Sequence, residues 1–131
     1  MKKFVVDTNV LFSFFWKGSW VREIIFGPAV LLFSPEKVFE ELDKHSKEIC
    51  YKARITAKDY VFWRNILSSQ IVEVKFEEFK EKLKDAYRIA PDEKDVELFA
   101  IALTYNIPIW SNEKRLKKQN VVKIFSNEEM F

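Results

Sequence analysis

The sequence predicts a three-layer α/β/α domain built on a mostly parallel sheet of about five strands. Short β-rich apolar runs alternate with helical patterns along the whole chain, and apolar strands spaced by helices belong to sheets covered on both faces. Glycine occurs only at positions 18 and 27 and proline four times, and no repeat or low-complexity stretch offers a place to divide the 131 residues. With 48% of its residues apolar, a chain of this length can bury a core as a single domain spanning residues 1–131.

Residues 3–6 form a first β-rich run that opens on Asp7. The pattern over 10–26 predicts a helix crowded with aromatics, and 30–33 a second strand. Ser34 as N-cap and Pro35 in the first turn predict a helix from 35 to about 47. A helix over 56–69, a strand over 71–74 and a helix over 77–88 follow. Asp92 then opens a helix over 92–105, and strands are expected at 108–110 and 121–125. In such sheets ligands gather beyond the C-terminal ends of the strands, which is where Asp7 falls.

Lys and Arg number 22 against 20 acids, so the near-neutral balance does not announce a nucleic-acid partner, and any such contact must be local. The single cysteine, Cys50, cannot form an internal disulfide, which fits a reducing compartment, and it reads as a small buried hydrophobe. No apolar run is long enough for a membrane span and the N-terminus lacks a signal-peptide pattern, so a soluble cytoplasmic protein is expected.

Four acids, Asp7, Glu41, Asp95 and Glu113, fall where predicted elements reach one edge of the sheet. Gathering like charges is costly unless a divalent cation neutralises them, and a hard oxygen-ligated ion, Mg2+ or Mn2+, suits carboxylates. Each acid also has a simpler reading. Asp7 in Asp7-Thr8-Asn9 could cap the following helix. Glu41, with Val38 and His45 three and four residues away, borders the buried stripe of its helix, and Glu40 is the less favoured alternative. Asp92 complements a helix N-terminus, whereas Asp95, in register with Leu98, Phe99 and Ala102, is expected to face the sheet edge. Glu113 in Ser111-Asn112-Glu113 could belong to a capping segment.

Taken in order, these segments resemble the PIN domain family, and more closely its VapC-like toxin ribonucleases and related archaeal and bacterial proteins. The carriers are Phe4-Val5-Val6-Asp7-Thr8-Asn9-Val10-Leu11, then Ser34-Pro35 leading to Glu40-Glu41-Leu42 and Lys44-His45. Asp92-Glu93-Lys94-Asp95 before an Ala-rich helix and Pro108-Ile109-Trp110-Ser111-Asn112-Glu113 complete the set. The likeness covers nearly the whole chain. It implies a metal-dependent endoribonuclease, the toxin of a toxin-antitoxin pair, with Asp7, Glu41 and Asp95 as ligands of Mg2+ or Mn2+. Glu113 stands where the family most often has Asp, and Ser111 where it has Ser or Thr. Because Glu is one methylene longer and Mg2+ is demanding about geometry, Glu113 is expected to act through water or to tune the ligands, with reduced activity as one consequence.

A hard cation in such a site acidifies water for in-line attack on a phosphodiester, so no side-chain base is required, and His45 reads as a polar helix-end residue. Asn9 and Ser111 could orient water or phosphate, or serve as caps. Lys114, Arg115, Lys117 and Lys118 are the candidate phosphate contacts, with a solvated helix face as the alternative. Phe12, Phe14, Phe15, Trp16 and Trp20 exceed what one short helix face buries, which together with the family's habit implies a homodimer, core packing being the other outcome. An aspartyl-phosphate phosphatase needs a second Asp two residues after the first, where this chain has Asn9. A PIN-like module that binds RNA or a protein without cutting is the alternative function, and the absence of a Gly-rich loop disfavours nucleotide binding.

Overall fold

The computed structural model describes residues 1–130. Five strands, β1 (Lys2–Val6), β2 (Val30–Pro35), β3 (Ile71–Val74), β4 (Ile109–Trp110) and β5 (Ile124–Phe125), form one sheet in the order β3-β2-β1-β4-β5. Every neighbouring pair is parallel. The sheet is thus wholly parallel, and the order reverses between β1 and β4, the position at which open α/β sheets leave a crevice.

Period-two alternation of β1 builds two separate cores. Phe4 and Val6 pack on one face with residues of α1 (Thr8–Phe12), α2 (Trp20–Phe26), α3 (Val38–Lys44), α4 (Ser46–Ala53) and α5 (Ala57–Ser68). Val5 packs on the other face against α6 (Phe76–Phe79), α7 (Leu83–Ile89) and α8 (Val96–Tyr105). Val5 and Val6 are wholly buried, and full burial of such a side chain stabilises by about 1.5–3 kcal/mol. No helix among the described residues is long and apolar enough to cross a membrane.

Several element boundaries differ from the sequence expectation. The helix expected over 10–26 is broken into α1, a 3-10 turn at Ser13–Phe15 and α2. Gly18 adopts φ +71°, a conformation that favours glycine, and Ser19 caps α2 by accepting the Arg22 N–H at 3.2 Å. Phe14 and Phe15 are fully buried, so core packing accounts for most of the aromatic crowding, while Trp20 stays exposed.

Ser34 is not an N-cap. It lies inside β2, opposite Glu73 of β3, because the ladder runs on through Pro35 and the Glu36 N–H still donates to Val74 O. The helix starts only at Val38 and bends at His45 into α4, which extends to Ala53. The helices expected over 77–88 and 92–105 both contain 3-10 turns, at Lys80–Lys82 and Glu93–Asp95. The strand expected over 121–125 shrinks to Ile124–Phe125, since the Gln119 side chain takes the Val121 and Val122 N–H groups that would otherwise seek a ladder.

Candidate active site

β1 is held between β2 and β4, so its end is fixed from both sides, and the Asp7 N–H donates to Trp110 O at 3.0 Å. Asp7 then turns the chain into α1, accepting the Asn9 N–H at 3.4 Å. Its other oxygen accepts a hydrogen bond of 2.7 Å from Ser111 Oγ, at the end of β4. Both side chains are buried. Burial pushes the Asp7 carboxyl above its ordinary pKa; the hydrogen bonds from Ser111 and Asn9 oppose this, and the negative charges of Asp95 and Glu113 add to it.

Asp95 closes the 3-10 turn that Asp92 caps by accepting the Lys94 N–H at 3.1 Å. With α8 packed into the core, Asp95 is only 3% exposed. Its Oδ1 accepts from Arg115 Nη2 at 3.0 Å, while Oδ2 is buried without a partner among the described residues. Leaving such an oxygen unpaired is costly, so Asp95 is held at the cleft against a desolvation penalty.

Glu113 follows β4 and is partly buried. Its N–H donates to Ser111 Oγ at 3.0 Å, so one hydroxyl serves both Asp7 and the Glu113 backbone. Oε1 accepts from Asn9 Nδ2 at 2.9 Å and Oε2 from Arg115 Nη1 at 2.7 Å. Arg115 therefore bridges Asp95 and Glu113. Burial works against its charge, but the hydrogen bond to Asp95 and the fields of Asp95, Glu113 and Asp7 outweigh that and hold its pKa above the ordinary value.

These groups open onto a cleft of about 330 Å³, lined among others by Asp7, Asn9, Glu41, Asp95 and Arg115. Glu41 reaches it from the first turn of α3, solvent-exposed, whereas Glu40 does not line it. Glu113 does not line this cleft, although it meets the cleft residue Asn9, and it lines a neighbouring hollow with Lys114 and Lys117. The basic cluster is thus divided. Arg115 turns inward, Lys114 faces the second hollow, Lys117 pairs with Glu129, and Lys118 is exposed. His45 is the exposed junction of α3 and α4, beside Phe12 and Glu48, and does not line the cleft.

A family model described as PIN domain matches residues 5–129. The chain belongs to the PIN domain family. PIN domains are generally nucleases, acting on nucleic acid and typically using divalent metal ions. No curated protein and no solved structure gives a significant match to this chain.

Among the described residues of this PIN domain, no three His, Cys, Asp or Glu side chains stand as a ready-made metal cage. The donor chemistry nevertheless fits a hard cation. Asp7, Asp95 and Glu41 offer only oxygens to the cleft, and one Asp95 oxygen has no partner among the described residues.

Sequence reasoning missed two basic residues of the cleft. Lys37, at the mouth of β2, and Lys94, beside Asp95, both line it, and neither has an ion-pair partner among the described residues. For Lys37 the signal was the C-terminal edge itself: a cation two residues past a strand of a parallel sheet lies where ligands bind.

Proposed function

We propose that this chain is a metal-dependent endoribonuclease acting as one domain over residues 1–131, with Asp7, Glu41, Asp95 and Glu113 as its carboxylate set. The observation that carries the reading is the buried, unpartnered Asp95 oxygen in a cleft whose other wall is Asp7, a carboxylate that burial and its neighbours push toward protonation. Both conditions are relieved by a cation. When bound, Mg2+ or Mn2+ would neutralise the acids, acidify water and offset charge on the scissile phosphate.

The chain's own residues divide the remaining work. Ser111 fixes the rotamer of Asp7, and Asn9 fixes that of Glu113. Asp95 is held by the packed start of α8, and Glu41 approaches from the opposite wall on α3. Lys37 and Lys94 are the rim cations suited to phosphate oxygens of the substrate backbone, ahead of the outward-facing Lys117 and Lys118. RNA rather than DNA is favoured by the likeness of the motif set to toxin ribonucleases.

The toxin role, with a protein antitoxin covering the cleft in the cytoplasm, rests on that same likeness. A homodimer is the assembly proposed with it. Trp20 and Phe26 of α2 and Phe62 of α5 are exposed apolar groups that an isologous contact would cover.

The deciding experiment is strand scission of a labelled single-stranded RNA with Mn2+. Cleavage that stops with chelator and in a folded D7N/D95N double variant supports the enzyme. RNA binding without scission, indifferent to chelator, would instead establish the non-catalytic module, a reading that gains weight from Arg115 standing on two of the acids.

A further inference from the structure

Arg115 makes its two ion pairs with two different acids: Nη2 to Asp95 at 3.0 Å and Nη1 to Glu113 at 2.7 Å. The next residue, Leu116, is wholly buried, which anchors the backbone and aims the guanidinium into the cleft rather than along the exposed face of Lys117 and Lys118. Yet the arrangement is incomplete on both sides. Asp95 Oδ2 and Arg115 Nε are each buried without a partner among the described residues, so the pair is not saturated. A divalent cation seated on Asp95 would stand close to the guanidinium that holds its Oδ1 at 3.0 Å, and the two like charges repel.

We propose that Arg115 is a resident counter-cation of the acidic cleft, holding Asp95 and Glu113 together in the metal-free protein and being displaced from them when a divalent cation binds. This rests on the metal-dependent reading given above. The pairing lowers the repulsion that the bare carboxylates would suffer, and in doing so it competes with metal. Once released, a side chain still tethered at Leu116 stays beside the cleft, within reach of a substrate phosphate, to which a guanidinium binds in a forked geometry.

The test is Mn2+ titration by calorimetry on the full chain, with no RNA present, comparing wild type with R115M, which removes the charge and keeps much of the apolar stem. R115M should bind Mn2+ about tenfold more tightly, the gain expected from freeing the one partly buried charge-assisted pair that faces the cleft, that with Asp95. Metal-free R115M should also melt at lower temperature than wild type. Equal Mn2+ affinities would overturn the counter-cation role while leaving the metal site standing; no Mn2+ binding by either protein would overturn both.

A second measurement needs no destabilising variant. In wild type titrated with Mg2+, the Arg115 Nε–H resonance, assigned by its absence in R115K, should shift with the same saturation curve as the backbone amides of Asp7 and Asp95. A resonance that stays fixed while those amides saturate would overturn the proposal.

Discussion

Ser111 Oγ donates to Asp7 Oδ2 at 2.7 Å across 104 positions of sequence, joining the ends of β4 and β1 with both side chains buried. The same oxygen accepts the Glu113 N–H. Ser111→Ala removes both contacts at once, leaving a buried carboxylate with one fewer donor and an amide without its acceptor. Chemical denaturation should show a loss of about 1–3 kcal/mol. A loss below a few tenths would mean that water or a rearranged Asn9 takes over the hydroxyl's place.

Asp7 should also make stability depend on pH. Its folded-state pKa is raised, so the folded protein binds its proton more tightly than the unfolded chain does. The contribution to stability is then greatest below the unfolded carboxylate value and falls as pH rises through the folded one. Asp7→Asn removes that fall. Metal-free D7N should therefore match or exceed wild-type stability at neutral pH, with the advantage fading under acid conditions, while RNA cleavage drops by more than the roughly 10- to 100-fold usual for losing a partner of a metal ligand. Melting curves across the carboxylate range decide it, and a D7N protein less stable than wild type at neutral pH would contradict the argument.

Lys37 and Lys94 line the cleft without ion-pair partners among the described residues, whereas Lys117 is engaged by Glu129. Contacts to phosphate release counterions, so each lost contact flattens the salt dependence of binding by about 0.7 in log–log slope for a single strand. Measured on a D95N background to prevent cleavage, K37A and K94A should each weaken RNA binding and flatten that slope. K117A should leave it nearly unchanged. If K114A and K117A were the variants that flattened it, the strand would run along the second hollow instead.

The parallel sheet was legible because Phe4-Val5-Val6 and its counterparts are apolar runs punctuated by helices, and burial on both faces leaves that trace directly in composition. The break in the first helix was legible in principle, at Gly18-Ser19, but the dense aromatics around it mimic continuous helical periodicity. Asp95 could be given an inward direction from its register with Leu98, Phe99 and Ala102, all buried in α8. Arg115 could not. It lies among Lys114, Lys117 and Lys118, and only the placement of Leu116 and of acids two and twenty positions away turns it inward. Starting α3 at Pro35 likewise concealed Lys37, because the true strand continues two residues further than the cap signal implied. Pairwise chemistry between distant segments is what a local pattern lacks.

Asp43 provides a last test, since it ties α3, the helix that carries Glu41, to α5. It accepts from Tyr60 OH at 2.8 Å and from Arg64 Nε and Nη2 at 3.1 and 3.0 Å, a forked pair with a third donor. Burial holds the Tyr60 hydroxyl well above the ordinary tyrosine pKa, and the hydrogen bond to Asp43 and its charge raise it further. Asp43→Ala should therefore lower the Tyr60 pKa without restoring it fully, because the burial remains. The same variant should cost about 1–2 kcal/mol, more than an isolated exposed ion pair because the geometry is bidentate and Tyr60 is buried. Loosening α3 should weaken Mn2+ binding through Glu41 while leaving the Asp7–Ser111 contact intact. Ultraviolet titration of tyrosinate alongside Mn2+ calorimetry separates the two effects: an unchanged metal affinity with a lowered Tyr60 pKa would mean that Glu41 contributes nothing to the ion.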